Sequence, residues 1–228
     1  MNLSFLSSLT LPLVALAALA GFAQDKPAVD PKVAEANKAI ISAEKPCYPL
    51  KTCPVSGEAL GKTAVDTVVE GHLVRVCCDN CVAPAAKDAA TIRAKVEAAA
   101  IEQQKKSYPL DTCVISGEKL TAESVDTVVG TRLVRVCCKK CAAAIAKDPA
   151  PTMKKLDEAY IAAQKATYPL KTCVVTDEEI GASKDMEPVD YLYGNRYFRL
   201  CCGGCKRAVA KSPDEMWAKV EAARTAKK

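Results

Sequence analysis

The segment Tyr48-Pro49-Leu50-Lys51-Thr52-Cys53, followed after 23 intervening residues by Cys77-Cys78-Asp79-Asn80-Cys81, decides the fold of this chain. The opening hexapeptide returns with one change at residues 108–113 and unchanged at residues 168–173, which is a period of 60 residues. The late cluster returns with the same Cys-Cys-x-x-Cys spacing at residues 137–141 and 201–205. The chain is therefore a threefold internal repeat, and each copy carries four cysteines at fixed places.

Twelve of the 13 cysteines belong to these three sets, and Cys47 is the thirteenth. Its counterparts in the other copies are Ser107 and Thr167, so we do not expect it to belong to a shared site. The chain has a single histidine, His72, and the other two copies have arginine in its place. One imidazole cannot supply three sites, so a histidine-based metal centre is excluded. His72 is predicted to be an exposed hairpin residue.

A short β-hairpin is predicted between the early cysteine and the late cluster of each copy. Two-residue turns that contain glycine, such as Gly194-Asn195, mark the middle of each hairpin. Counting outward from each turn places an aspartate directly opposite an arginine, and such a pair contributes roughly 0.2–1 kcal/mol. We interpret these pairs as structural rather than catalytic: Asp66 with Arg75, Asp126 with Arg135, and Asp190 with Arg199.

Helices are predicted after each late cluster and before the first copy. Met153, Leu156, Tyr160 and Ile161 follow helical spacing in the second copy. An N-cap residue followed by proline opens such a helix at Asp148-Pro149. Similar pairs stand at Asp30-Pro31 and Ser212-Pro213. We therefore predict an α+β fold in which small cysteine modules, each with a turn, a β-hairpin and a helix, alternate with amphipathic helices.

The first 23 residues are predicted to be a secretory signal peptide, because residues 3–22 are uncharged and small residues stand at Gly21 and Ala23. An uncleaved membrane anchor is the alternative. The predicted division is a signal peptide at 1–23, a linker and helix at 24–46, and three Cys modules with their helices at 47–106, 107–166 and 167–228. We expect an exported protein, periplasmic or secreted, with no membrane contact after cleavage and in a compartment that permits disulfides.

Charge and composition argue against several functions. Lys and Arg number 32 and Asp and Glu 27, and they alternate along the helical stretches, which is typical of solvated helix faces. Basic clusters with interleaved aromatic residues are absent from the sequence, so we expect no nucleic-acid partner. There is no Gly-rich phosphate loop and no nucleophile elbow, and we predict that the protein is not an enzyme.

Each cysteine module spans only about 35 residues, a size at which a metal or disulfides usually supplement a small hydrophobic core. The spacing puts one cysteine on a turn and the late cluster where a strand leads into a helix. A helix N-terminus lowers the pKa of a nearby thiol and favours the thiolate. Thiolates are the ligands that zinc and copper(I) prefer, so either metal is a candidate cofactor.

The pattern Cys53-x23-Cys77-x3-Cys81 resembles the TRASH and YHS group of small metal-binding domains, three times over and across nearly the whole mature chain. The resemblance implies treble-clef-like modules and a role in heavy-metal sensing, trafficking or resistance. Carried over by position, it implies three ligand triads: Cys53, Cys77 and Cys81; Cys113, Cys137 and Cys141; and Cys173, Cys201 and Cys205.

The second cysteine of each pair departs from that family pattern. Cys78, Cys138 and Cys202 stand where the family more often has another small residue. Adjacent strand residues point to opposite faces, so both members of a pair reach one metal only if the corner between strand and helix relaxes this geometry. We include these cysteines as predicted fourth ligands, with a packed apolar role as the alternative.

Two other functions remain open at this point. In a disulfide-stapled repeat, each set of four cysteines would form two bridges, which export and the even count favour. In a thiol–disulfide oxidoreductase, Cys78-x-x-Cys81 would be the redox pair, although no thioredoxin-like βαβ pattern surrounds it. Within the metal hypothesis, metal sequestration, trafficking and a purely structural zinc are all compatible with the sequence.

Overall fold

The computed structural model describes residues 30–182 and 186–226, so the predicted signal peptide lies outside the described residues. The helices are α1 (Pro31–Glu44), α2 (Val82–Lys87), α3 (Ala89–Lys105), α4 (Lys139–Lys147), α5 (Ala150–Lys165), α6 (Cys205–Lys211) and α7 (Pro213–Ala226). The strands are β1 (Val65–Val69), β2 (His72–Val76), β3 (Val125–Val129), β4 (Arg132–Val136), β5 (Val189–Tyr193) and β6 (Arg196–Leu200). The predicted α+β class is confirmed.

Each copy contains one two-stranded antiparallel sheet with the predicted register. Asp66 faces Arg75 and Asp126 faces Arg135, and in both pairs the arginine Nε donates to the carboxylate, at 2.7 and 2.8 Å. In the third copy Asp190 also faces its arginine, but its Oδ1 accepts instead from the Tyr197 hydroxyl at 2.6 Å. The register prediction is confirmed in all three copies, whereas the hydrogen-bonded Asp–Arg pair forms in two.

Each copy has a small hydrophobic core of its own. In the second copy the core joins Val134 and Val136 of β4 to Ile145 of α4 and Leu156 of α5, all at most 2 % exposed. Equivalent clusters surround the hairpins of the first and third copies. Burying one such aliphatic side chain contributes about 1.5–3 kcal/mol, so a core of this size leaves room for a further stabilising element.

The helix that precedes each hairpin is fastened to it by two side chains that recur every 60 residues. Glu44, Gln104 and Gln164 accept a backbone N–H from the second strand, donated by Leu73, Leu133 and Tyr197 respectively. The next residue in each copy is a lysine that forms an ion pair with the hairpin aspartate: Lys45 with Asp66, Lys105 with Asp126, and Lys165 with Asp190. Helices α3 and α5 therefore connect consecutive copies rigidly.

The three copies meet at a common centre, which we call the central junction and define by Glu44, Gln104, Thr131, Gln164 and Asn195. The Thr131 hydroxyl donates to the Glu44 carbonyl at 2.6 Å, and the Asn195 side chain donates to Gln104 Oε1 at 2.8 Å. Gln164 Nε2 donates to the Asn195 carbonyl at 2.8 Å. The hairpin tips of the second and third copies thus touch the ends of helices from other copies.

His72 is not the fully exposed residue that the sequence predicts. Its Nδ1 lies 3.5 Å from a carboxylate oxygen of Glu44, and its side chain is 33 % exposed. The reason is that its strand, β2, packs against the end of α1. Within residues 30–182 and 186–226, no helix has the length and apolar character needed to cross a membrane.

Candidate metal centres

The early cysteine of each copy lies on a tight turn. Cys53 N–H donates to the Glu58 carbonyl at 2.7 Å, and the Cys53 carbonyl accepts from Gly57 N–H at 2.8 Å. Gly57 has φ of +81°, a left-handed conformation that glycine adopts without strain. The turns at Cys113 and Cys173 repeat these two hydrogen bonds, with Gly117 and Asp177 in the left-handed position.

The late cluster lies where the second strand ends, as predicted. Strand β2 ends at Val76, and a short 3₁₀ turn over Asp79–Cys81 leads into α2. In the second and third copies the last cysteine of the cluster lies in the first turn of α4 or α6. The corner between strand and helix turns the late cysteines towards the early one, because the chain reverses direction there.

Each copy brings three cysteine sulfurs together. The sulfurs lie within 4.8 Å of one another in each of three groups: Cys53, Cys77 and Cys81; Cys113, Cys137 and Cys141; Cys173, Cys201 and Cys205. The early cysteines are at most 2 % exposed, so each group is anchored in the core of its copy. These groups could hold a metal ion, and they coincide with the triads that the family resemblance implies. Cys47 belongs to none of the three groups.

The second cysteine of each pair lies at the rim of its group. Cys78 is exposed, yet its sulfur lies 3.7 Å from that of Cys77 and 4.0 Å from that of Cys81. Tetrahedral zinc with zinc–sulfur bonds of about 2.3 Å needs sulfurs about 3.8 Å apart. The corner therefore relaxes the strand geometry enough to bring both members of the pair to one side, and Cys202 repeats the 4.0 Å approach to Cys205.

The electrostatic environment favours one thiolate in each group. Burial opposes ionisation of Cys53, but hydrogen bonds from the Ser56 hydroxyl and from backbone N–H groups outweigh it and lower the pKa to about 6. Similar donors lower the pKa of Cys113 to about 6 and that of Cys173 to about 7. The last cysteines of the clusters have a raised pKa, chiefly because they are desolvated: Cys81, Cys141 and Cys205.

The exposed cysteines behave differently from the buried ones. The pKa of Cys138 is lowered, first by the backbone N–H of Cys141 and then by the side chain of Cys137. The pKa of Cys202 is lowered by the backbone N–H groups of Gly204 and Cys205. Free amides at the start of α4 and α6 therefore stabilise an accessible thiolate beside each buried triad.

A hydroxyl residue three positions after each early cysteine was not among the predicted site residues. The Ser56 hydroxyl lies 3.3 Å from the Cys77 sulfur, and the Ser116 hydroxyl lies 3.4 Å from the Cys137 sulfur. Thr176 occupies the same place beside Cys201, at 3.6 Å. The signal was present in the sequence as a hydroxyl residue at the same position in all three copies.

All thirteen cysteines are free. Within the groups the recorded sulfur separations are 3.7 to 4.0 Å, whereas a disulfide bond is about 2.05 Å long. Oxidation of neighbouring thiols would need only small side-chain movements, so metal and oxidant would compete for the same sulfurs. Comparison with protein-family models, with characterised proteins and with solved structures finds no match to this chain.

Proposed function

We propose that the protein is an exported heavy-metal-binding protein that holds one zinc or copper(I) ion in each of its three cysteine groups and catalyses no reaction. The observation that carries this proposal is the convergence of three sulfurs within 4.8 Å in every copy. Chance pairing of cysteines does not explain three equivalent groups, each with hydrogen bonds prepared for one thiolate. Sequestration, trafficking of the metal or a structural zinc would all use this site.

The fourth cysteine distinguishes the two metals. Zinc favours four ligands in a tetrahedron, and the separations around Cys78 match the edges of such a tetrahedron. Copper(I) is well served by soft thiolates alone, for which the buried triad suffices. We infer that the exposed cysteine is the fourth ligand when zinc is bound and the exchangeable ligand through which metal enters or leaves.

The test is to purify the mature protein from the compartment to which it is exported and to count metal atoms and free thiols per chain. We expect about three equivalents of zinc or copper, which is one for each group. Changing Cys81, Cys141 and Cys205 to Ser together should abolish metal binding. The matched control is Cys47→Ser, which should retain all three equivalents because Cys47 lies outside the groups.

A metal-free chain with twelve oxidised cysteines would contradict the proposal and support the disulfide-stapled repeat. A second set of variants, with Cys78, Cys138 and Cys202 changed to Ser, tests the fourth ligand. Zinc affinity should fall sharply in this set, whereas copper(I) should still bind with three sulfurs. Equal zinc affinity in the variant and the parent would show that the exposed cysteine is not a ligand.

A thiol–disulfide oxidoreductase is a second candidate, favoured by one observation. Cys202 is a partly exposed thiol with a lowered pKa, and its sulfur lies 4.0 Å from that of buried Cys205. A Cys202 thiolate could attack a substrate disulfide, and the Cys205 sulfur could then release the reduced substrate and leave a Cys202–Cys205 disulfide. Measurable reduction of insulin by the metal-free, reduced protein would support this candidate, and no activity would reject it.

A further inference from the structure

A cavity of about 710 Å³ opens beside the central junction, at a distance in sequence from every cysteine group's early turn. All three copies contribute to its wall, for example through Tyr48, Tyr108 and Asn195. A volume between about 300 and 1,000 Å³ with a few convergent polar groups is typical of small-molecule sites. The cavity plays no part in the proposed metal binding.

A buried hydroxyl in this wall has no partner. Tyr160 is 2 % exposed, lines the cavity, and makes no hydrogen bond through its hydroxyl. Burial raises the pKa of Tyr160, so the group stays neutral and able to donate. An unsatisfied buried hydroxyl costs about 1–3 kcal/mol, which a ligand oxygen would offset. The Arg132 guanidinium lies over the same ring, with Cζ 5.7 Å from the centroid, and its Nη2 is likewise buried without a partner.

The charge of the lining has one sign. Lys106, Arg196 and Arg224 line the cavity, and of the described residues no aspartate or glutamate does. Arg196 and Arg224 each bond one carboxylate outside the lining, Asp214 and Glu221 respectively. A guanidinium has five N–H donors, so one such bond leaves donors for an anion in the cavity.

Aromatic rings form much of the remaining wall. Tyr48, Tyr108, Tyr160 and Trp217 all line it, and the Arg224 guanidinium lies 4.9 Å from the centroid of the Trp217 ring. Such rings offer flat apolar faces to an organic group, whereas an inorganic ion would leave them unused. The lining therefore suits a molecule with both an anionic group and an apolar part.

The distinctive wall residues are not required by the repeated fold. Tyr160 corresponds to Ala100 in the first copy and, after the four-residue insertion of the third copy, to Arg224. Trp217 corresponds to Met153 and Arg93 in the same way. The metal groups use residues that recur in all copies, while the cavity uses residues found in one copy only. Maintenance of the module fold therefore does not account for them.

We propose that this cavity binds a small organic anion, with its carboxylate or phosphate group at Arg196, Arg224 and Lys106 and its apolar part against the rings of Tyr160 and Trp217. The Tyr160 hydroxyl donates to the same ligand. The site lies between copies, so it exists only when all three are assembled.

Trp217 is the only tryptophan in the chain, so its fluorescence reports on the cavity directly. Four probes of related size are titrated into the full mature protein: phenyl phosphate, benzoate, benzylamine and inorganic phosphate. Saturable change with phenyl phosphate, benzoate or both is expected, and the stronger of the two identifies the preferred anionic group. Benzylamine carries the same ring with a positive charge and should not bind.

Variants then locate the site, with affinities measured by calorimetry. Arg224→Gln should weaken binding about tenfold or more, and Tyr160→Phe about three- to tenfold. Arg93→Gln, on α3 and outside the cavity, is the matched control and should not change the affinity. Retained metal stoichiometry and far-UV circular dichroism verify that each variant is folded.

Three results would overturn the proposal. The first is no saturable signal from either organic anion, and the second is benzylamine binding as tightly as phenyl phosphate. The third is an affinity that is the same in Arg224→Gln, Tyr160→Phe and the parent. Inorganic phosphate binding as tightly as phenyl phosphate would reject the role of the rings and reduce the cavity to a simple ion site.

Discussion

The cysteine groups and the central junction are built in opposite ways. Each group repeats the same residues and the same separations, and each lies within one copy. The central junction uses a different residue from each copy, for example Thr131 from the second and Asn195 from the third. The comparison teaches that the copies keep their local chemistry in common, while their differences are concentrated where they meet.

This division of labour predicts that damage to a cysteine group stays local and that damage to the junction spreads. A group can be lost without removing the ligands of another, because no group shares a sulfur with its neighbours. A junction residue such as Gln104 bonds the hairpins of two copies at once. Five measurements would break or sharpen the contrast.

The largest effect is expected from Cys113→Ser in the metal-loaded protein. Binding free energies of structural zinc reach about 10–16 kcal/mol, so the second copy should lose several kcal/mol of stability and its metal. Metal analysis should fall from three equivalents to two, and thermal unfolding should gain a separate low-temperature transition. Loss of all three equivalents would contradict the local character of the groups.

Gln104→Ala should come next, with a loss of about 2–4 kcal/mol. The substitution leaves the Leu133 N–H and the Thr131 carbonyl without partners in a buried place and removes the bond to Asn195. Chemical denaturation should show one cooperative transition at lower denaturant, with three metal equivalents retained. The adjacent Gln103→Ala, an exposed residue with one bond to Pro49, should cost less than about 1 kcal/mol.

Gly194→Ala should destabilise the protein by about 1–3 kcal/mol. At Gly194 a Cβ would lie 2.8 Å from the Cys47 sulfur and 3.0 Å from the Pro46 carbonyl. Gly71→Ala is the matched control, because Gly71 also has positive φ but open space around its Cβ position. Denaturation midpoints of the two variants separate the backbone strain, which both share, from the clash. Equal losses would mean that the junction yields freely.

Acid should weaken the fastening of helices to hairpins. Hydrogen bonds from Lys105 and Arg135 outweigh burial and lower the pKa of Asp126, so its stabilisation is present above the unfolded value of about 3.9 and is lost as pH falls through the lower folded value. Asp126→Asn should cost about 1–2 kcal/mol at neutral pH and flatten the decline below about pH 4. Asp111→Asn, an exposed residue, should leave the pH profile of stability unchanged.

The smallest effect is a gain. Asp177 has φ of +59° where the other copies have glycine, so Asp177→Gly should relieve left-handed strain and stabilise the third copy by about 0.5–1 kcal/mol. Denaturation of the parent and the variant under identical conditions measures the difference. A loss of stability would show that the Asp177 side chain contributes more than its backbone strain costs.

The sequence was sufficient for the parts of the molecule that depend on local spacing. The repeat, the hairpin turns and the register follow from counting residues, and so does the meeting of Cys53 with Cys77 and Cys81. These features depend on contacts within one copy, where a short chain leaves few alternatives. The predictions of export and of the signal peptide stay predictions.

The parts that could not be predicted depend on contacts between copies or on one changed side chain. Gln104 looked like an ordinary solvated helix residue, and only the position of the neighbouring hairpin makes it a buried bridge. In the third copy, Tyr197 replaces a leucine on the same strand face as Arg199, and its hydroxyl reaches Asp190 first. No rule of spacing contains such competition between side chains.

The contact of the third hairpin tip with the segment after α1 has one more consequence. Solenoid repeats stack in an open line, so a unit can be added at either end without disturbing the rest. Here the Gly194 turn lies against Pro46 and Cys47, which brings the last copy back to the beginning of the first. A fourth copy inserted in tandem would have to displace this contact, so the architecture counts to three, and duplication of the gene segment would open the ring rather than lengthen it.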